Sequence, residues 1–201
     1  MNDATKSLLV FVIVLFAACV TTTPVVEWRS SEFKDASFDN ILIIGVSNDN
    51  AARRSFEDTF VAELKKLGVT AVSSHSVMLE GQKITKENVE AAIQGNKIDA
   101  VLVTHLVGVE TRESYTPPTY RPTPMMGGYY GYYSHVYNYV YEPGYYTRYK
   151  VVKLETNLYD TATSKLVWST QSESVDASSV KKLIDSKIKA TIKQLKKQKL
   201  I

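Results

Sequence analysis

"NILIIGV", residues 40–46, sets four aliphatic side chains in a row and stops at the polar "SNDN" of residues 47–50. The run is too short for a stable helix and does not alternate, so both of its faces must find cover. That is the pattern of a buried strand in a parallel sheet. Parallel neighbours need crossovers, and the next residues supply them. "AARRSFEDTFVAELKKL", residues 51–67, spaces Phe56, Phe60, Leu64 and Leu67 three or four apart, which predicts an amphipathic helix. Gly68 supplies its stop, and "VTAVSS", residues 69–74, is a second strand. "ITKENVEAAIQGNKI", residues 84–98, repeats the helix, with Thr85 to cap it, Glu87 in its first turn and Gly95 to end it. "DAVLVTHLVGVE", residues 99–110, is a third strand, long and apolar. Two successive strand–helix–strand units imply a parallel sheet with right-handed crossovers.

The pattern then changes period. "YKVVKLETNLYD", residues 149–160, puts Val152, Leu154, Thr156 and Leu158 on one face, and "SKLVWSTQSE", residues 164–173, answers with Leu166 and Trp168. With "DTATS" as the turn between them, these predict an antiparallel hairpin. "SSVKKLIDSKIKATIKQLKKQKL", residues 178–200, aligns Val180, Leu183, Ile184, Ile188, Ile192 and Leu195 in one stripe, a helix that covers the sheet. The fold expected is α/β, βαβαβ-ββ-α in two or three layers. Its mixed sheet has parallel core strands, an antiparallel hairpin and a C-terminal helix, in one domain over residues 40–201.

A chain of 201 residues with 44% hydrophobic residues can bury a core. Its single cysteine excludes an internal disulfide framework and a thiolate metal cluster. The net charge of +3 is too weak to imply nucleic acid. It is also unevenly held: residues 181–201 carry eight lysines against Asp185, so the basic character belongs to the last helix. That helix could lie on anionic lipid, but its apolar stripe is wanted by the sheet and its lysines suit a solvated face.

The first residues, "MNDATKSLLVFVIVLFAA", run from a short polar start with Lys6 through an apolar stretch to Ala17 and Ala18, the plan of a secretory signal. The uninterrupted run Leu8–Val20 is about 20 Å long as a helix, short of the ~30 Å of a bilayer core. "FAAC", Phe16–Cys19, resembles the lipobox of bacterial lipoproteins, with phenylalanine where leucine is usual. The resemblance implies cleavage between Ala18 and Cys19, a diacylglyceryl group on the Cys19 sulfur and an N-acyl chain on its amine. Val20 follows instead of the aspartate that retains lipoproteins in the inner membrane, which implies the outer membrane, periplasmic face. Residues 1–18 are thus read as a cleaved signal and 19–39 as a lipid-anchored tether, with Val25–Trp28 able to dock on the domain.

Between the third strand and the hairpin, residues 112–148 read as an insertion rich in tyrosine, proline and glycine. Twelve of the 13 tyrosines fall in residues 115–149, a concentration that makes this the candidate interaction surface. Tyr129, Tyr130, Tyr132, Tyr133, Tyr137, Tyr139 and Tyr141 are its core. Tyrosine offers contact area with few torsions to freeze. Such rings suit a protein partner, the sugar faces of peptidoglycan or lipopolysaccharide, or the lipid headgroup level, or the segment is a tolerated low-complexity insertion.

No catalytic motif occurs. His75, His105 and His135 lack zinc-like spacing, and "GGYYG" lacks the strand–helix setting of a phosphate loop. In an open α/β sheet, ligands bind beyond the strand carboxyl ends. Here that is Ser47, Asn48, Asp49 and Asn50, with Arg53 and Arg54 behind, although Asp49 or Asn50 also suits a helix cap. The element order over residues 40–110 and 149–198, closing on "LYDTATSKLVWS", resembles small α/β envelope lipoprotein modules. These are the activators of penicillin-binding proteins, the curli-secretion lipoprotein and the N-terminal domain of the Tol–Pal translocation protein. Their members bind other envelope proteins. The resemblance implies a non-catalytic accessory or assembly factor without cofactors, anchored to the membrane, with an envelope protein as partner. The rival expectation is a glycan-binding module that uses the tyrosine segment.

Overall fold

A computed structural model describes residues 22–78, 84–118, 130–131, 144–175 and 179–201. Its strands are β1 (Thr22–Arg29), β2 (Asn40–Val46), β3 (Thr70–Ser73), β4 (Ala100–Thr116), β5 (Tyr145–Asp160) and β6 (Leu166–Val175). The helices are α1 (Asn50–Lys65), the single turn α2 (Ser74–Val77), α3 (Lys86–Asn96) and α4 (Val180–Lys197). The sheet order is β1-β6-β5-β4-β2-β3; β2 runs parallel to β3 and β4, and every other pairing is antiparallel. This is the α/β fold with a mixed sheet and a terminal helix that the sequence predicts.

The central strand explains its own composition. Ile41 and Ile43 point into a core shared with Phe56, Phe60 and Leu64 of α1 and with Ile184, Ile188 and Leu195 of α4. Leu42 and Ile44 point the other way, onto Ala92 of α3 and Ile98. Each full burial of such a side chain stabilises by roughly 1.5–3 kcal/mol, so alternation would forfeit half of that. The β2 region therefore has three layers. The β5–β6 hairpin has α4 on one face, where Leu158, Val167 and Trp168 are buried.

Local signals sit largely where expected. The Asp49 side chain caps α1, accepting from Ala51 N and Ala52 N at 2.9 and 3.0 Å. Thr85 caps α3, and Gly68 follows α1 at φ +81°. Gly95, however, lies inside α3, which ends instead at left-handed Lys97.

Two boundaries need correction. Residues 22–29, read as part of a tether, form the edge strand β1 on β6. Trp168 Nε1 and Gln198 Nε2 each donate to Glu27 Oε1 at 3.0 Å, and the Arg29 guanidinium donates to the carbonyls of Phe33, Lys34 and Gln198. The domain thus begins at least 18 residues before Asn40. The insertion is also shorter than 112–148, because Arg112–Thr116 pair with Tyr145–Tyr149. Cys19 and Ala18 lie outside the described residues, as do Tyr129, Tyr132, Tyr133, Tyr137, Tyr139 and Tyr141; Tyr130 is described and exposed. Among the described residues no helix is long and apolar enough to cross a membrane.

Candidate functional site

β2 ends at Val46, opposite His105 of β4, and β4 runs on beyond it paired with β5; α1 and α4 both begin at that end of the sheet. The gap between the two helix starts is an apolar groove of about 280 Å³. Val46, Leu106 and Val109 line it from the strands, Leu154 from β5, and Val180 and Leu183 from α4. Its floor is fixed by close packing: a β-carbon on Gly45 would stand 3.3 Å from both Arg53 Cγ and Phe56 Cδ1. Glu57, fully buried on α1, secures the same corner. Its Oε1 accepts from Gly45 N at 2.9 Å and Ser74 Oγ at 2.7 Å, and its Oε2 accepts from His75 N at 3.1 Å. A buried carboxylate is tolerable when donors surround it, and this one ties the end of β2 to the start of α2.

Of the residues predicted beyond the strand ends, Ser47 and Arg53 line the groove, whereas Asp49 is used in the cap. His105 also lines the groove from mid-strand and is half-buried. His75 lies elsewhere, with Nε2 2.7 Å from Asp58 Oδ1. Among the described residues no three His, Cys, Asp or Glu side chains gather in a metal-like cluster.

Sequence reasoning missed Lys187. It lines the inner end of the groove yet is only 1% exposed, and its Nζ donates to Ser172 Oγ at 2.6 Å. Burial lowers its pKa to about 7, because the charged ammonium loses hydration and no carboxylate bonds it among the described residues. Beyond it a gap of about 10 Å³ is lined by Ser172, Thr191 and Gln194. Thr191 Oγ1 and Gln194 Oε1 are both buried there without a partner among the described residues. That volume and those donors and acceptors suit one water. The sequence signal is position alone: Lys187 stands three residues after Ile184 and four before Thr191, at the apolar stripe, which does not by itself distinguish a buried lysine from a solvated neighbour of that stripe.

The second feature is an arm. Among the described residues β6 last pairs at Val175, opposite Val151, whereas β4 and β5 remain paired as far as Thr116 and Tyr145. Six further residues of β5 thus project as a two-stranded ribbon, about 20 Å at ~3.4 Å per residue. At its root Arg112 holds Glu173 through two bonds of 3.0 and 2.9 Å, and Glu110 is shared by Arg112 and Lys153. The Lys153 bond, with Arg112 behind it, lowers the Glu110 pKa; the bond to Glu173 raises that of Arg112. Near the tip the rings of Tyr115 and Tyr146 meet with centroids 4.9 Å apart.

No family model matches this sequence, and no curated protein matches it. Among solved structures the chain is similar to the PelC dodecamer from Paraburkholderia phytofirmans, at 13% identity and a TM-score of 0.45 over 85% of this chain and 96% of that one. It is similar to lipoprotein GNA1162 from Neisseria meningitidis, at 15% identity and a TM-score of 0.43 over 79% and 98%. A PDZ domain protein from Parabacteroides distasonis follows, at 10% identity and a TM-score of 0.38 over 89% of this chain and 37% of that one.

Proposed function

We propose that this protein is a lipoprotein of the bacterial envelope, fastened through acyl chains on Cys19, that acts by binding a partner rather than by catalysis. Cleavage before Cys19, the outer membrane as destination and the periplasm as the side it faces belong to this reading, on the strength of the "FAAC" motif. The observation that carries the binding role is the open apolar groove beside Val46, Leu106, Val109 and Val180, all exposed at its rim. Apolar concavity with few polar groups is the usual form of a binding site. The groove opens at the end of the sheet where β1 begins, so its occupant is an apolar segment of a protein in the same membrane. Acyl anchoring confines both to two dimensions and raises their effective concentration.

Two measurements test the two halves. Cys19→Ser should accumulate uncut precursor and lose labelling by palmitate; normal maturation would remove the anchor. A photocrosslinking residue at Leu106 should join a defined envelope protein in cells, and one at Leu67, exposed at the other end of the sheet, should not. Equal crosslinking at both positions would contradict a groove-directed partner.

A further inference from the structure

Among the described residues, most of the exposed large apolar side chains stand at one end of the sheet, although Trp28, Leu67 and Ile84 do not. Val46, Val107, Val175 and Val180 stand exposed there, and the arm adds Tyr115, Tyr145 and Tyr146, the last 70% exposed. The upstream chain leaves from the same end, since Thr22 pairs with Ser174 at the close of β6. Cys19 is three residues earlier, a reach of about 10 Å.

We propose that this end is a lipid-contact surface, seated in the headgroup layer of the phospholipid bilayer that holds Cys19. The proposal rests on the anchor reading above and adds the facing of the domain and the occupant of the arm. A leash of ~10 Å is shorter than the radius of gyration of a domain this size, ~16 Å. The end that bears the leash therefore cannot turn away from the membrane as a domain on a long linker would. What it presents suits the interface. Tyrosine places an apolar ring and a polar tip at the same depth as the headgroups. Basic side chains accompany the rings: Lys150 on the arm, Lys181 and Lys182 beside Val180. Near anionic lipid such charges attract, within a Debye length. Of the acids nearby, Glu113 is paired with Arg148, Glu110 and Glu173 are paired with Arg112 and Lys153, and Asp49 is occupied in its cap. A free protein with this surface would bind vesicles weakly; the anchor makes a weak contact sufficient.

The test uses the full chain, purified from membranes and returned to protein-free vesicles of phosphatidylethanolamine and phosphatidylglycerol. Single cysteines are introduced as Tyr146→Cys, Val180→Cys and Thr163→Cys, the last in the turn at the opposite end, and labelled with a polarity-sensitive fluorophore. The parent chain, whose only thiol is Cys19, is the blank. With nitroxide lipid quenching at headgroup depth, labels at 146 and 180 should shift to the blue and lose most of their emission, while the label at 163 keeps it. Adding Tyr115→Ser to the Val180→Cys chain should weaken the quenching. Val180 is the first residue of α4 and exposed, so its substitution keeps the test independent of arm folding. Flotation with the vesicles reports the anchor separately. Protein that floats with no quenching, or with equal quenching at all three positions, is anchored but faces elsewhere, and the proposal fails. Protein that does not float removes the anchor reading and this surface with it. Because the vesicles hold no protein or glycan, quenching cannot come from either.

Discussion

Lys187 and Glu57 are the two buried charged side chains of most consequence, and they behave oppositely. Glu57 is surrounded by donors. Removing it in Glu57→Ala leaves Gly45 N–H, Ser74 O–H and His75 N–H without an acceptor. That should lower the unfolding free energy by about 3 kcal/mol in denaturant titration. Lys187 has one hydroxyl partner and is held at a pKa of about 7, against 10.5 for the ordinary side chain. Its folded pKa lies below its unfolded one, so between those values the unfolded chain binds more protons. Stability should therefore rise with pH from about 7 toward 10.5 and carry the full penalty below 7. Lys187→Met should stabilise by about 1–3 kcal/mol at neutral pH, with a gain that fades as pH climbs. A gain that is flat across this window would show that Lys187 is solvated. Neither residue was legible as buried from the sequence. A lysine on an apolar stripe reads as a solvated neighbour of that stripe until packing decides which turn faces the sheet.

At the scale of elements, legibility followed apolar periodicity. β2, α1, β4, the β5–β6 hairpin and α4 were readable because apolar spacing alone distinguishes them. β1 was not. "TTPVVEWR" contains a proline and exposes Val25, Val26 and Trp28, so it has neither alternation nor an apolar run. An edge strand tolerates both, and its pairing shifts register between Pro24 and Val26, where a proline costs no ladder bond. Its attachment is carried by polar latches, which predicts that Arg29→Ala, losing bonds to three carbonyls, lowers stability by about 1–2 kcal/mol. A melting temperature unchanged in Arg29→Ala would mean the strand is dispensable, as a tether would be. The arm makes a second element-scale prediction. A β-carbon on Gly144 would meet the Thr116 carbonyl oxygen at 2.7 Å. Gly144→Ala should thus speed amide exchange in residues 112–116 while leaving the exchange of β2 and the global midpoint alone. The pairing of residues 112–116 with 145–149, which carry Tyr115, Tyr145 and Tyr146, was not legible, because these stretches lack strict alternation.

The whole molecule is polarised. One end gathers the groove, the starts of α1 and α4, the arm and the exit of the chain toward Cys19. The other end holds the turn at Thr161–Ser164 and the close of α4, where Phe38 N donates to Leu200 O at 2.9 Å. With β1 in the sheet, only three residues separate Cys19 from the first strand, so an anchor at Cys19, as proposed above, would hold the domain closer than the 20-residue tether read from the sequence. A partner must then meet the groove at the bilayer surface. All of this depends on acyl chains at residue 19, and the most direct check is the mass of the N-terminal peptide from protein extracted from native membranes. That peptide should begin at Cys19 and carry a thioether-linked diacylglyceryl group and an amide-linked chain. A peptide that begins at Met1, or a Cys19 thiol that is free, would contradict it.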